Sequence, residues 1–256
     1  NQSSCCGSGG CSTDVVNIMT DDYTIMNGYI PDADLGLGCG LPTQFAQIKE
    51  GDTVVDLGSG AGNDCFIARN ETGESGKVIG IDFTPAMIER AMANARKLAY
   101  ENVEFRQGDI EDMTLGDNTA DVVVSNCVLN LVPNKNNVFK EIYRILKPGG
   151  HFSISDIVLE GNLPEGLQTA AEMYAGCVSG AIQKASYLDL IQSNGFIEIG
   201  VQKEKAIIIP DDILSHHLTN AQIEDFKKGA TGIFSITVYA KKPAGKKACC
   251  GTSCCN

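Results

Sequence analysis

A glycine-rich turn behind an aspartate is the first stretch of the sequence whose residue types could do chemistry. Asp56 ends a short apolar run, and glycines then take every second position at Gly58, Gly60 and Gly62. Glycines in such a turn let the backbone approach a ligand closely, and a following helix presents N–H groups and a positive dipole end. The carboxylate would repel pyrophosphate but attract a ligand that carries an ammonium and a sulfonium. The spacing predicts a nucleotide-binding turn that differs from the dinucleotide fingerprint and the phosphate loop.

A second acid follows at the distance expected for a ribose contact. The apolar run that begins at Lys77 ends in Asp82, about 20 residues beyond the turn, where folds of this kind hold ribose hydroxyls. Residues 108–110 follow the next strand-like run and are predicted to meet an adenine ring. Phe83 and Met87 are predicted apolar contacts to the same ring, with core packing as the alternative. The predicted cofactor-binding residues are Asp56, Gly58, Ser59, Gly60, Gly62, Asp82, Phe83, Met87, Asp109, Ile110 and Asn126.

Cysteines are the other chemically active residues, and the chain has 11 of them. With no export signal in view, bound metal, metalloid or redox chemistry explains them better than a disulfide framework. Cys39, Cys65, Cys127 and Cys177 lie within the body of the chain, and Cys127 directly follows a strand-like run. Ligands of open parallel sheets collect at the carboxyl ends of strands, so Cys127 is placed to meet one. The other seven lie towards the two ends: Cys5, Cys6, Cys11, Cys249, Cys250, Cys254 and Cys255.

Charge and hydropathy limit the classes of partner. The 20 basic and 32 acidic residues give a formal net charge of -12, which disfavours a nucleic acid as partner. No run approaches the roughly 18 apolar residues that a membrane-spanning helix needs, and the polar start does not resemble a signal peptide. We therefore expect a cytoplasmic protein that acts on a small molecule, with no nucleic acid and no membrane as partner.

The elements that must position these residues alternate between strands and helices. Helical patterns begin near Phe66 and at Pro85 and cover 138–146, 165–180, 187–193 and 211–228, and Lys147-Pro-Gly-Gly150 predicts the turn that ends one of them. The alternation indicates an α/β fold, a doubly wound Rossmann-like sheet that is mostly parallel with an antiparallel last strand. Apolar runs predict its strands over 54–57, 77–82, 102–106, 121–126, 151–157, 196–209 and 233–241.

Composition divides the chain into one domain and two short tails. Residues 1–13 and 243–256 have almost nothing apolar to bury, so we expect two mobile cysteine-rich tails. Residues 14–242 are expected to form a single domain, in which the segment 14–50 lies over the site. That segment includes a weak helical pattern over 15–20 and a glycine-rich loop around Cys39.

The glycine turn, Asp82, Gly108-Asp109 and Lys147-Pro-Gly-Gly150, in this order, resemble the motifs of class I S-adenosylmethionine-dependent methyltransferases, over about Gly51 to Lys241. Three cysteine contexts make the chain similar to the arsenite S-adenosylmethionine methyltransferase family within that class. The resemblance implies S-adenosyl-L-methionine as the cofactor, and trivalent arsenic held by Cys39, Cys127 and Cys177 as the catalytic residues. The three contexts are Leu37-Gly-Cys-Gly-Leu-Pro42, Ser125-Asn-Cys-Val-Leu-Asn-Leu-Val-Pro133 and Ala175-Gly-Cys-Val-Ser-Gly-Ala181.

The implied chemistry agrees with the side chains that the sequence offers. Trivalent arsenic is soft and prefers thiolate ligands, and three thiolates leave it one lone pair that can attack a sulfonium methyl. This nucleophile has no proton to lose, so it requires no general base. The histidines are His151, His216 and His217, and none of them follows the fourth strand. The expected partners are arsenite or its thiol conjugates and a thiol reductant such as thioredoxin or a low-molecular-weight thiol.

Alternatives remain open for the function and for several cysteines. The chain could be a small-molecule carbon methyltransferase of the quinone-biosynthesis type, or a non-catalytic metalloid-binding protein on the same fold. Cys65, at the start of a helix, is either core packing or a redox partner, and a helix N-terminus that lowered its pKa would favour the redox role. The tail cysteines could capture arsenic and pass it to the site, bind zinc or copper, or relay electrons.

Overall fold

The computed structural model describes residues 21–164, 178, 180–209, 211–216, 218–228 and 231–245. Within this part a seven-stranded sheet forms the centre of the molecule. Its strands are β1 (Thr53–Leu57), β2 (Lys77–Asp82), β3 (Val103–Gln107), β4 (Ala120–Asn126), β5 (Leu146–Glu160), β6 (Ile197–Ala206) and β7 (Gly232–Lys241).

Helices follow most of the strands. Pro85 stands in the first turn of its helix, and Arg96 and Lys97 lie in the last turn, where the helix dipole favours positive charge. The helices are α1 (Pro42–Phe45), α2 (Asn63–Thr72), α3 (Pro85–Lys97), α4 (Lys135–Ile145), α5 (Lys184–Ser193), α6 (Asp211–Ser215) and α7 (Asn220–Lys228), with 3₁₀ turns at Tyr23–Ile25 and Leu129–Leu131.

The strand order β3-β2-β1-β4-β5-β7-β6 confirms the predicted doubly wound sheet. β1 pairs in parallel with β2 and β4, β2 with β3, and β4 with β5. β7, the last strand of the chain, is antiparallel to both β5 and β6, as predicted. The chain leaves β1 towards one side of the sheet and β4 towards the other, and this switch point opens a crevice at the carboxyl ends of both strands.

Apolar side chains cover both faces of the sheet. Along β1, alternate side chains point to opposite faces, so Val54 packs with Phe66 of α2 while Val55 and Leu57 belong to the core that includes Phe139 of α4. Val54, Val55 and Leu57 are each 0% exposed. Burial of both faces explains why the inner residues of β1 are all apolar except Asp56.

The predicted turn at Lys147-Pro-Gly-Gly150 is wrong. α4 ends at Ile145, β5 begins directly at Leu146, and residues 147–150 belong to that strand. The pairing of β4 with β5 is irregular here, stepping from Ala120 opposite Leu146 to Val122 opposite His151. Gly149 has a φ of 84°, which suits glycine at a bulge, and its N–H donates to the carbonyl of Lys242 at 3.1 Å. The two glycines let the strand bulge instead of ending it.

Other boundaries differ by a few residues. The strand predicted to reach residue 209 stops at Ala206, and the helix predicted over 211–228 is divided into α6 and α7. The helical pattern over 15–20, most of the one over 165–180, and all seven tail cysteines lie outside the described residues. None of the described helices is long and apolar enough to cross a membrane.

Candidate active site

The glycine turn joins β1 to α2 at the switch point. Gly58, Gly60 and Gly62 have φ values of 73°, 52° and 98°, in the left-handed region that favours glycine. A Cβ on Gly58 would meet Val128, and one on Gly62 would meet Phe66, whereas one on Gly60 would meet nothing within 4 Å. Packing therefore requires glycine at the two outer positions, while Gly60 faces open space where a ligand can approach the backbone.

Asp82 anchors this turn to the end of β2. Its carboxylate accepts hydrogen bonds from the N–H of Gly60 at 2.9 Å and of Thr84 at 2.8 Å. The carbonyl of Asp82 accepts one from the N–H of Gly108 at 3.0 Å, which brings the predicted adenine-contacting stretch to the same edge. The sequence-predicted ribose carboxylate and the glycine turn are therefore adjacent.

The carboxylates of Asp56, Asp64 and Asp82 surround the turn, and their negative charge suits a positively charged ligand. Burial, with the charge of Asp64 next, raises the pKa of Asp56 well above its ordinary value, and burial raises the pKa of Asp64 to about 6. Among the described residues no ion pair involves Asp56, Asp64 or Asp82. A bound ammonium or sulfonium would stabilise the ionised carboxylates.

Two buried polar atoms in or next to the same turn could also hydrogen-bond to a ligand. Ser59 Oγ and Asn63 Oδ1 have no hydrogen-bond partner within the part of the chain that the structure describes. Buried polar atoms are nearly always hydrogen-bonded in native proteins, so such atoms are expected to meet a ligand. Together with the space beside Gly60, they fit S-adenosyl-L-methionine, which has polar groups along its length and a positive charge at its methionine end.

Cys65 lies beneath the turn and faces an acid. Its Sγ donates to Oδ2 of Asp56 at 3.2 Å, and the side chain is 0% exposed. Burial, followed by the negative charge of Asp56, raises the pKa of the thiol well above its ordinary value. The lowered pKa expected from the helix N-terminus is therefore wrong, because burial and a neighbouring carboxylate oppose the dipole. The geometry favours the core role of this residue.

Cys39 sits in a loop whose backbone is held from both sides. Its N–H donates to Oδ1 of Asn126 at 3.0 Å, and its carbonyl accepts from the hydroxyl of Ser235. A Cβ on Gly38 would lie 2.6 Å from Asn126 Nδ2, and one on Gly40 would lie 2.5 Å from Ser155 Oγ. The Gly-Cys-Gly pattern is thus explained by close approach of the loop to Asn126 at the end of β4 and to Ser155 on the neighbouring part of β5.

Cys127 follows β4 with a φ of 61°, an uncommon value for a residue with a side chain. Its N–H donates to the carbonyl of Ser155 at 2.8 Å, which fixes this backbone to β5. Cys39 and Cys127 are both buried and belong to one apolar cluster with Ile157, Val178 and Ile233. The structure therefore brings two of the three predicted arsenic ligands into one small region.

Cys177 lies outside the described residues, but the residue next to it does not. Val178 is 6% exposed and belongs to the cluster that contains Cys39 and Cys127. Among the described residues, no three His, Cys, Asp or Glu side chains form a group that could hold a metal ion. A third thiol beside the first two would have to come from the undescribed part, and the chain reaches the cluster one residue after Cys177.

The remaining predicted cofactor-binding residues differ in burial. Phe83 is 76% exposed, so core packing does not explain it, and Met87 is half-buried. Ile110 is 5% exposed and packs within the main core. Asp109 is exposed and accepts a hydrogen bond from the N–H of Glu111 at 2.8 Å. These residues lie at or next to the ends of β2 and β3, at the same edge of the sheet as the glycine turn.

The side chain of Asn126 contacts two residues that the sequence did not predict for the site, Tyr23 and Asp64. Its Nδ2 donates to the carbonyl of Gly40 at 2.8 Å, to the hydroxyl oxygen of Tyr23, and to Oδ2 of Asp64 at 3.5 Å. Tyr23 donates in turn to Asp64 at 2.7 Å. Asp64 stands two residues after the last glycine of the turn, which is a usable signal in the sequence, whereas nothing there marks Tyr23.

A second buried acid was not predicted from the sequence. Asp156 on β5 is 0% exposed, and Tyr187 of α5 donates to its Oδ2 at 3.4 Å. Burial raises the pKa of Asp156 to about 7. By contrast, His151 hydrogen-bonds through Nε2 to the carbonyl of Ala46, and burial lowers its pKa. That histidine lies opposite Val122 in the first half of β5, away from the carboxyl ends of the strands.

Comparisons with known proteins agree with this geometry. The family model described as "Methyltransferase domain" matches residues 48–195. The arsenite methyltransferase of Halobacterium salinarum is 42% identical over 85% of this chain and 59% of its own length. The arsenite methyltransferase of Aquipseudomonas alcaligenes is 37% identical over 72% of this chain and 55% of its own length. The chain thus spans somewhat more than half the length of these curated relatives.

A solved structure with greater coverage matches as well. The arsenic(III) S-adenosylmethionine methyltransferase CrArsM of Chlamydomonas reinhardtii superposes with a TM-score of 0.69 and 31% sequence identity. The match covers 91% of this chain and 75% of that one. We conclude that the chain belongs to the arsenite S-adenosylmethionine methyltransferase family of the class I methyltransferases, whose methyl donor is S-adenosyl-L-methionine.

Proposed function

We propose that the protein methylates trivalent arsenic that is held by the thiolates of Cys39, Cys127 and Cys177. One observation carries the proposal: the Cys39 loop is hydrogen-bonded to Asn126, so that Cys39 and Cys127 share one buried cluster next to the glycine turn. Val178, which follows Cys177, belongs to the same cluster. Family membership supports arsenite, or its conjugates with thiols, as the substrate.

The cofactor would be held along the edge of the sheet. Asp82 would accept the ribose hydroxyl protons, the backbone at Gly60 would lie against the methionine part, and Asp56 and Asp64 would offset its positive charge. Phe83 and Met87 would flank the adenine. When bound, S-adenosyl-L-methionine supplies a methyl group on a sulfonium, which is an electrophile.

The thiolates set up the nucleophile. As each thiol replaces a hydroxide on arsenite, an As–S bond forms, an As–O bond breaks, and the thiol proton leaves with the hydroxide as water. Three thiolates leave arsenic with one lone pair, which needs no general base. This agrees with the structure, in which His151 of β5 hydrogen-bonds to the carbonyl of Ala46. The protein then contributes mainly by placing the thiols.

Turnover also needs electrons. Forming the As–C bond with the lone pair oxidises arsenic formally from the trivalent to the pentavalent state, so a two-electron reductant must restore it. We assign this part to a thiol, either thioredoxin or a low-molecular-weight thiol, which is oxidised to a disulfide. The net charge of -12 agrees with a protein that has no nucleic acid as partner.

The segment before β1 would cover this site as part of one domain over residues 14–242. Its described part is fixed at several points. Lys203 of β6 pairs with Asp21 at 2.7 Å, and the hydroxyl of Ser153 on β5 donates to the carbonyl of Pro42 at 2.8 Å. Together with the hydrogen bonds from Asn126, at the end of β4, to Cys39 and Gly40, these contacts support a segment that lies over β4, β5 and β6.

The test is an activity assay with product separation. The full chain is mixed with arsenite, a thiol reductant and methyl-labelled cofactor, and the arsenicals are separated and counted. Methylated arsenic is expected, and each of Cys39→Ser, Cys127→Ser and Cys177→Ser should abolish it while cofactor binding persists. Bound arsenic with no methylated product would favour the metalloid-binding alternative. Activity on a quinone precursor that survives Cys127→Ser would favour the carbon methyltransferase.

A further inference from the structure

We infer that Asn126 is a positioning residue that fixes the backbone of Cys39 relative to Cys127, and that Tyr23 and Asp64 orient its amide for this purpose. The inference rests on the proposed function, because it assigns a task in arsenic binding to a side chain predicted from the sequence as a cofactor contact. Asn126 precedes Cys127 directly, so its side chain connects the two cysteine-bearing segments.

The amide of Asn126 brackets Cys39 with two hydrogen bonds. Oδ1 accepts the N–H of Cys39 at 3.0 Å, and Nδ2 donates to the carbonyl of Gly40, the next residue, at 2.8 Å. The Sγ of Cys39 also lies 3.8 Å from Oδ1, within hydrogen-bonding distance for sulfur. A single planar group therefore fixes both the position and the direction of this backbone.

Tyr23 and Asp64 allow only one orientation of that amide. Nδ2 faces three acceptors, namely the carbonyl of Gly40, the hydroxyl oxygen of Tyr23 and Oδ2 of Asp64. A flipped amide would place its carbonyl oxygen against these acceptors and its NH₂ against the N–H of Cys39. Tyr23 and Asp64 are 6% and 8% exposed, so water could not easily compensate for such losses.

The loop is shaped for this contact. A Cβ on Gly38 would lie 2.6 Å from Nδ2 of Asn126. Any other residue at position 38 would push the amide away, so the glycine before Cys39 and the asparagine before Cys127 depend on each other. Asp64 also belongs to the first turn of α2, which follows the glycine turn, so the same network links the Cys39 loop to the proposed cofactor site.

A small displacement of Cys39 should matter for this chemistry. Arsenic bound by three thiolates needs sulfur atoms at fixed separations, and a misplacement of about 1 Å can cost about 100-fold in rate. Hydrogen bonds through Asn126 hold the N–H side of this backbone, and the hydroxyl of Ser235 holds its carbonyl.

The first experiment compares Asn126→Ala with the wild-type full chain. X-ray absorption at the arsenic edge should count three sulfur ligands on arsenite in the wild type and about two in the variant. The rate of arsenic methylation at saturating cofactor should fall about 100-fold. The dissociation constant for S-adenosyl-L-methionine, measured by calorimetry, should change by less than about threefold. Three sulfurs in the variant, or lost cofactor affinity with arsenic coordination intact, would overturn the inference.

A matched pair of hydroxyl deletions isolates the orienting network. Tyr23→Phe removes a group that contacts Asn126, whereas Tyr29→Phe removes the hydroxyl that donates to Asp34 at 3.1 Å in the same segment. Tyr23→Phe should lower the methylation rate about tenfold, with unchanged cofactor affinity, and Tyr29→Phe should leave it within about twofold. Equal effects of the two variants would contradict the inference. If Asn126→Ala does not fold, this pair decides the question.

Hydrogen exchange separates this inference from the proposed function. The N–H of Cys39 donates to Asn126, so peptides covering 36–41 should exchange faster in Asn126→Ala and in Tyr23→Phe, with no arsenic present. Wild type that fails to methylate arsenic, with the exchange difference intact, would reject the function and leave the placement role standing. Unchanged exchange in both variants would reject the placement role itself.

Discussion

The Sγ of Cys65 lies 3.2 Å from Oδ2 of Asp56, and both side chains are buried directly beneath the glycine turn. The carboxylate accepts from the thiol, and burial together with this negative charge raises the pKa of Cys65. A thiol reacts as its thiolate, so Cys65 should be a poor nucleophile and a poor redox partner near neutral pH. Its role in the site is to donate a hydrogen bond to the carboxylate of Asp56.

We therefore expect Cys65 to resist alkylation in the folded protein. With iodoacetamide at pH 7.5, peptide mass spectrometry should find the Cys65 peptide labelled at least about 100-fold more slowly than glutathione, because burial and the raised pKa both oppose reaction. The same peptide labelled in denaturant serves as the control and should react at an ordinary rate. Rapid labelling of the native protein would mean that Cys65 is an accessible thiolate.

Two substitutions in the glycine turn should have different effects. Gly62→Ala places a Cβ 2.8 Å from the ring of Phe66 at a φ of 98° and should destabilise the fold by about 1–3 kcal/mol. Gly60→Ala meets nothing within 4 Å at a φ of 52°, so its cost should stay near 1 kcal/mol. Cofactor affinity should nevertheless fall at least about tenfold in Gly60→Ala, since the methyl would occupy the space of the ligand.

Thermal unfolding and calorimetric titration with S-adenosyl-L-methionine check this pair. A Gly60→Ala protein that binds the cofactor normally would show that the space above Gly60 is not part of the cofactor site. A Gly62→Ala protein as stable as the wild type would show that Phe66 and its neighbours can move aside.

Gly40→Ala should disable the arsenic site and spare the cofactor site. Its Cβ would lie 2.5 Å from Oγ and 2.8 Å from Cβ of Ser155, so the loop that bears Cys39 would have to shift. We expect arsenic methylation to fall about 100-fold, with cofactor affinity within about threefold of the wild type. Gly116→Ala is the control, because its Cβ would be no closer than 3.6 Å to Thr119. Equal activity of the two variants would argue against a role of the loop.

Residues near strand ends could be placed from the sequence, and residues brought in from a distance could not. Asp56 and Asp82 end apolar runs, and the carboxyl ends of parallel strands lie at one edge of a sheet, so the sequence alone locates both residues there. The contact between Tyr23 and Asp64 spans 41 residues and depends on how the segment before β1 folds back. Cys65 shows a different limit: its position on a helix is visible in the sequence, but the carboxylate that controls its pKa comes from another element.

The last prediction concerns pH and the buried acid on β5. Burial raises the pKa of Asp156 from 3.8 to about 7, despite the N–H of Ile157 that donates to it at 3.0 Å. Between these two values the folded protein holds a proton that the unfolded chain has lost. The contribution of Asp156 to stability is thus present below pH 4, falls as pH rises through 7, and is constant above. The loss amounts to about 4 kcal/mol in order of magnitude.

Asp156→Asn should remove this dependence. An asparagine keeps an oxygen for the N–H of Ile157 and can donate to Tyr187, yet it carries no charge to desolvate. We expect the variant to be more stable than the wild type by up to about 4 kcal/mol at pH 8, and by only about 1 kcal/mol at pH 4.5. Denaturant unfolding at several pH values measures the difference, with Asp189→Asn at an exposed position of α5 as the control for losing one charge. A variant that is less stable at pH 8 would show that the charge of Asp156 is stabilised by a partner rather than tolerated at a cost.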